Sequence, residues 1–315
     1  MPRDAQALLA RARDGDRAAL ARLLSIVERG GARAHEVGRR CHPLGGRTYT
    51  LGMTGAPGAG KSTLTNALIV ELRRTGRQVA VLAVDPSSPF SGGAILGDRV
   101  RMGDHVLDPG VFIRSMATRG HLGGLALATP EAVRVLDAVG VDWVVVETVG
   151  VGQVEVEIVG AADTTVVVVN PGWGDAVQAN KAGLMEIADL FVVNKADRDG
   201  AKETVRDLEQ MLDLTELGDW RPPIVCTVAT TGEGVKELLA AVERHRAFLE
   251  TGGRLAAKRA ERLRDELRAV VAARLRARAD ALVDDRERAE VEAAVVDRRL
   301  DPWTAADRLL TGVDA

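Results

Sequence analysis

Apolar positions recur with a helical period at the start of this chain and gather into short β-branched runs through its middle. Leu20, Leu23, Leu24 and Val27 fall at i, i+3, i+4 and i+7, one stripe of an amphipathic helix that Gly30-Gly31 ends, so residues 1–45 read as a helical extension. From Thr48 the runs are Thr48–Thr54, Val79–Val84, Val111–Ser115, Trp143–Thr148, Thr164–Asn170, Leu190–Asn194 and Ile224–Val228, separated by helical stretches. Valine-rich strands alternating with helices predict an α/β domain over residues 46–250, with a mainly parallel sheet covered on both faces. Beyond Gly234 such runs stop. Residues 251–315 are helix formers and charges, broken at Gly252-Gly253, with Leu255, Leu263, Leu267, Val270 and Leu282 as the apolar side. That stripe predicts a C-terminal helical arm that either folds back on its own domain or pairs with another subunit.

Composition narrows the functional classes. The 315 residues carry 42 Lys and Arg against 45 Asp and Glu, a net charge of −3, so no basic field points to nucleic acid or an anionic membrane. Nine aromatic residues are too few for base-stacking platforms. Cys41 and Cys226 stand far apart, which excludes a disulfide framework and makes a reducing cytoplasm the expected compartment. Met1 to Asp16 carries charges throughout, and the longest valine runs, such as Val166–Val169, are strand-sized, so neither a signal peptide nor a membrane span is expected. Only six of the 42 basic residues are lysines, which draws attention to Lys61, Lys181 and Lys195.

Residues 55–62, Gly55-Ala56-Pro57-Gly58-Ala59-Gly60-Lys61-Ser62, fit G-x-x-x-x-G-K-[ST] in full. A strand precedes them and a helix from Thr63 to Arg73 follows, so loop amides and a helix N-terminus converge on a phosphate chain. In that arrangement Lys61 reaches the outer phosphates and the Ser62 hydroxyl is a Mg²⁺ ligand. Asn194-Lys195-Ala196-Asp197 follows an apolar strand and matches N-K-x-D, in which a carboxylate accepts from N1–H and the 2-amino group of guanine. Adenine lacks both donors, so GTP and GDP are the expected nucleotides. Asp85, Asp98 and Glu147 are the candidate metal-side carboxylates, although Asp98 after Gly97 also reads as a helix cap. Glu147-Thr148-Val149-Gly150 is a D-x-x-G element with Glu in place of Asp. Val151 stands where many GTPases have a water-orienting glutamine, so intrinsic hydrolysis is expected to be slow.

The runs from Asp85-Pro86-Ser87-Ser88 to Gly97-Asp98 and from Glu147-Thr148-Val149-Gly150 to Gln153 together resemble the MeaB/ArgK family of GTPases, over nearly the whole chain. The resemblance implies a P-loop GTPase domain of the signal-recognition and metallochaperone type, with the N-terminal extension and a C-terminal arm that makes a homodimer. It also implies a chaperone of an adenosylcobalamin-dependent acyl-CoA mutase, most often methylmalonyl-CoA mutase, that gates cofactor loading and protects the mutase. Ser62, Asp85, Asp98 and Glu147 would form the magnesium and switch shell, with Lys61 in the catalytic set. A loop corresponding to Asn170–Lys181 would respond to the partner, which makes Lys181 a candidate switch residue. The family's base-contacting Ser-Ala appears here as Val228-Ala229, before Thr230, so the amide of Ala229 is left to meet the guanine oxygen.

Two other readings compete. A nickel-delivery metallochaperone needs metal ligands of its own, and the only neighbouring Cys-His pair is Cys41-His42. A kinase of a transport component needs an acceptor site, which no residue marks.

Overall fold

The computed structural model describes residues 4–86, 105, 107–118, 124–148, 162–172 and 187–310. The extension forms three helices, because Asp and Gly pairs interrupt its single stripe. Helix α1 (Ala5–Arg13) is capped by Asp4, and α2 (Arg17–Arg29) by Asp16, whose carboxylate accepts from the amides of Ala18 and Ala19 at 2.9 and 3.0 Å. Gly30 ends α2 at φ +73°, and α3 (Ala32–Cys41) follows. The stripe Leu20, Leu23, Leu24 and Val27 is buried.

The seven runs appear as β1 (Tyr49–Thr54), β2 (Val79–Pro86), β3 (Val111–Thr118), β4 (Trp143–Thr148), β5 (Thr164–Val169), β6 (Leu190–Asn194) and β7 (Ile224–Thr227). They form one sheet in the order β3-β2-β4-β1-β5-β6-β7, with parallel pairing throughout. Burial on both faces explains the valine runs, since no strand of the central five has a wet side to mark with polar alternation. Helices α4 (Lys61–Arg74) and α7 (Val235–Glu250) cover one face over Met53, Val81, Val145 and Val166. The other face is covered by α5 (Gly124–Ala138) together with α1–α3, and by α6 (Ala201–Asp213) over β5 and β6. The extension is built into this core. Leu23 and Leu24 share a cluster with Ala132, Val135 and Val144, and Arg114 of β3 binds Glu28 and Ser25 of α2 at 2.6 and 3.0 Å.

Residues 1–262 form one compact unit and residues 263–315 a second. A 3-10 turn at Thr251–Gly253 leads into α8 (Arg254–Leu282), whose first residues belong to the first unit. There Leu255 packs on the α4/α7 core, and three basic residues bind carboxylates at the N-terminal ends of the strands. Arg259 and Arg262 both pair with buried Asp163, and Lys258 meets Asp189 at 3.3 Å. Arg259 also donates to the carbonyls of Gly46 and Thr48, at 2.8 and 2.7 Å.

The second unit holds the rest of α8, then α9 (Asp285–Val296) and α10 (Pro302–Leu310). Along α8 its exposed apolar positions include Leu263, Leu267, Val271 and Leu275, four residues apart and therefore on one side of the helix, and Val296, Trp303 and Leu310 are exposed beyond it. The expected stripe is thus divided. Leu255 packs in the first unit, Val270 is half-buried, Val271 and Leu275 continue the exposed line, and the Leu282 side chain lies outside the described residues.

Candidate nucleotide and metal site

The phosphate loop bridges β1 and α4 at the C-terminal end of the sheet. Two glycines in it are steric requirements. A Cβ on Gly55, at φ +135°, would lie 2.0 Å from the carbonyl oxygen of Val168 on β5, and one on Gly60, at φ +90°, would lie 2.4 Å from Asn194 Nδ2. Helix α4 starts at Lys61, two residues before the expected Thr63, so Lys61 and Ser62 lie in its first turn, where backbone N–H groups point outward to an anion. The Lys61 side chain is buried, and its Nζ donates to the carbonyls of Gly55 and Ala56 at 2.6 and 3.1 Å. It therefore lies across the inside of the loop, within reach of any phosphate the loop encloses.

Asn194, at the end of β6, is buried and braces two loops. Its Nδ2 donates to the Ala59 carbonyl at 2.8 Å, and its Oδ1 accepts from Thr227 Oγ1 at 3.1 Å and the Ala229 amide at 3.2 Å. Lys195, left-handed at φ +58°, donates through Nζ to the Gly58 carbonyl at 2.6 Å. Asp197 is exposed, which leaves its carboxylate open to a base. Residues Val228, Ala229 and Thr230 begin a tight loop closed by the Val228 amide on the Glu233 carbonyl at 3.0 Å. The Ala229 amide expected to meet guanine is engaged by Asn194 in this structure, so a base oxygen would share or replace that partner. The sequence does not show this bracing role, because Ala59 and Thr227 lie 135 and 33 residues from Asn194.

On the metal side, Glu147 is buried near the end of β4, and its Oε1 accepts from the Ser62 hydroxyl. The next residue, Thr148, meets Thr54 at 3.4 Å between hydroxyls, just before the phosphate loop. A hydroxyl and a carboxylate in contact beside a phosphate loop are hard oxygen donors. They suit Mg²⁺, which takes one or two protein ligands, substrate phosphates and several waters. Among the described residues no group of three or more His, Cys, Asp and Glu could hold a metal by itself. Cys41 is buried, its thiol pushed up to about 11 by burial, while neighbouring His42 is exposed. The pair therefore does not converge on a metal. Asp85 is the last but one residue of β2, but its side chain lies outside the described residues, as do Asp98, Val151, Gln153, Lys181 and the loop from 173 to 181.

A P-loop on a parallel sheet, with an N-K-x-D element braced against it, defines a P-loop GTPase. The family model described as methylmalonyl Co-A mutase-associated GTPase MeaB matches residues 20–284, and the chain belongs to that family. A provisionally named GTPase of Pyrococcus abyssi is 53% identical over 311 residues, 97% of this chain and 96% of that protein. The mouse mitochondrial methylmalonic aciduria type A homolog is 33% identical over 269 residues, 78% of this chain and 64% of that protein. A crystal structure described as LAO/AO transport system kinase shares 29% identity at a TM-score of 0.74, covering 99% of this chain and 98% of that one. Among the described residues no helix is long and apolar enough to cross a membrane.

Proposed function

We propose that this GTPase is a cytoplasmic chaperone whose nucleotide state gates adenosylcobalamin loading of an acyl-CoA mutase, methylmalonyl-CoA mutase first among them, and protects that mutase. The observation that carries the reading is the hydrogen bond from Ser62 to Glu147. It joins the first turn of the phosphate-binding helix to the end of β4, so whatever binds at Ser62 is felt where the chain leaves the sheet at Thr148. The family's association with the mutase supplies the partner class.

In this reading the amides of residues 55–62 and Lys61 hold the phosphates, and Asp197 selects guanine through its two donors. Ser62 and Glu147, with Asp85 and Asp98, hold Mg²⁺, which when bound offsets charge on the β- and γ-phosphates. Lys61 exchanges the Gly55 and Ala56 carbonyls for phosphate oxygens as nucleotide enters. Lys181 belongs to the segment that responds to the partner. The exposed line Leu263, Leu267, Val271 and Leu275 pairs with a second copy in a homodimer, an assignment that a monomer by light scattering would overturn.

The test is GTP turnover by the full chain with and without a purified adenosylcobalamin-dependent mutase. Slow turnover alone and about a tenfold gain with the mutase are expected, a gain that needs only about 1.4 kcal/mol of differential stabilisation. Stimulation lost in Lys181→Ala assigns that residue to the response. No stimulation by any such mutase overturns the chaperone reading.

A further inference from the structure

The sheet carries a row of four residues at one height on its α4 face. The pairings Ala83↔Ser115, Ala83↔Glu147 and Met53↔Glu147 align Ser115, Ala83, Glu147 and Met53 across β3, β2, β4 and β1. Alternation fixes the face, because Ile113, Val81, Val145 and Leu51, two residues earlier on each strand, all belong to the core beneath α4 and α7. Glu147 in this row receives the Ser62 hydroxyl. Between Glu147 and Ser115 stands only the methyl group of Ala83, so the row is lowest at that point. Its two polar members, Glu147 and Ser115, are two strand spacings apart, about 10 Å between Cα atoms.

Two polar atoms, Ser115 Oγ in the row and Asn66 Oδ1 on helix α4, are closed off from solvent and have no hydrogen-bond partner. Asn66 lies one helical turn after Ser62 on α4 and so shares its face. Its backbone carbonyl meets His105 Nε2 at 3.3 Å, which places that edge of α4 beside the chain entering β3. Buried polar atoms normally have partners, and unpaired ones mark where water or a ligand belongs. The chemistry of the two atoms is specific: a carboxamide oxygen only accepts, and a hydroxyl can accept. A water bound to a divalent cation has its lone pair on the metal and can only donate. Acceptors on the far side of a low point beside a metal carboxylate are what such a water requires.

We infer that Ser115 and Asn66 are positioning residues for the hydration shell of the nucleotide-bound Mg²⁺, receiving the hydrogens of metal-bound water on the β3 side. The inference rests on the assignment of Ser62 and Glu147 to the metal. Neither Ser115 nor Asn66 touches nucleotide or metal; each acts through the water.

The experiment loads the full chain with GDP and titrates Mn²⁺, reading free metal by electron paramagnetic resonance, with Mg²⁺ as competitor. Ser115→Ala weakens the metal about tenfold, the low end for loss of a partner one shell out from a metal. It leaves GDP affinity in EDTA at the wild-type value. Ser115→Thr keeps the hydroxyl and restores metal affinity, while Asn66→Ala repeats the loss at a helix position less sensitive to folding. Metal affinity unchanged in both alanine variants, with Ser62→Ala still weakening it, overturns the inference and leaves the metal assignment standing. An unchanged affinity in Ser62→Ala overturns the metal assignment and this inference with it. A loss of GDP affinity in EDTA equal to the loss of metal affinity assigns Ser115 a purely structural role and also overturns it.

Discussion

Strands β1, β5 and β6 run between two polar regions built on opposite plans. At their C-terminal ends the polar groups are held by backbone and keep capacity in reserve: Lys61 rests on loop carbonyls, Asn194 braces loops, and Asp197 faces solvent. At their N-terminal ends charge is matched by charge. Asp163 is buried with Arg259, Arg262 and the Thr50 amide, and Asp189 takes the Thr165 amide at 2.8 Å and Lys258. Tyr49, Thr164 and His245 continue that network, with 2.7 Å between Thr164 Oγ1 and His245 Nδ1. Groups that can exchange partners mark a ligand pole, whereas groups saturated by one another mark a structural root. Both poles are rich in ionisable residues, so charge density alone would not tell them apart.

The strongest way to break this comparison is to remove the central carboxylate of the root. Asp163→Ala removes the buried carboxylate shared by Arg259, Arg262 and the Thr50 amide and should destabilise the protein by about 3–5 kcal/mol, the usual cost of breaking a buried pair by removing one partner. Urea unfolding checks this, with GTP affinity of the folded variant retained. A loss below about 1 kcal/mol would put Asp163 among ordinary surface pairs. The pH dependence has a definite sign. Burial pushes the Asp163 carboxyl up, but the hydrogen bonds of Arg259 and the charges of Arg262 and Arg259 outweigh it, and the net shift is downward. Its stabilisation is therefore complete above the unfolded value of about 3.9 and is lost as pH falls through the lower folded value.

At the ligand pole, Asp197→Asn tests the reserve directly. The exposed side chain has no structural partner to lose, so unfolding stability should hold while GTP binding weakens by about 1–3 kcal/mol, as an acceptor becomes a donor facing guanine donors. Xanthosine triphosphate should gain in return. Calorimetry reads both, and equal affinities of the wild type for ATP and GTP would remove the guanine assignment.

The two poles also differ in how far the sequence reveals them. The ligand pole is spelled in contiguous runs, Gly55–Ser62 and Asn194–Asp197, because a loop that wraps a phosphate or a base draws its groups from neighbouring residues. The seven strands were equally visible as short β-branched and apolar runs, β4 and β6 at both ends and each of the others with one end shifted by one to three residues, since burial leaves little room for polar alternation. The root pole has no such text: Asp163 and Arg259 lie 96 residues apart, and nothing in either local sequence anticipates the other. The same distance hides the union of the extension with the sheet. The stripe in α2 was legible, but the pair Glu28–Arg114, 86 residues apart, was not. Asn194 shows a third limit, where the motif named the right residue and the structure gave it a bracing task.

The smallest expected effect sharpens the comparison most, because it concerns an uncharged group among the charges of the root. His245 is buried, packed at a tilt against Trp220 at 4.7 Å between ring centres and facing Thr164, Asp189, Lys258 and Phe248. Burial lowers its pKa and Lys258 adds to the lowering, while Asp189 and Asp163 oppose it; the net shift is downward. Between the folded value and the unfolded one near 6.5, the unfolded chain binds more protons than the folded one, so stability rises with pH. The contribution is complete above about 6.5 and is lost as pH falls toward the folded value, at no more than about 1.4 kcal/mol per pH unit. Unfolding free energies measured from pH 7.5 to 5.5 should fall in the wild type and stay flatter in His245→Gln, whatever the variant's overall stability. Parallel curves would mean that His245 is protonated in the folded state, its charge matched by Asp189. The root would then be an ion cluster with no neutral member, and its likeness to the ligand pole, where an exposed carboxylate waits for a partner, would be greater than the geometry implies.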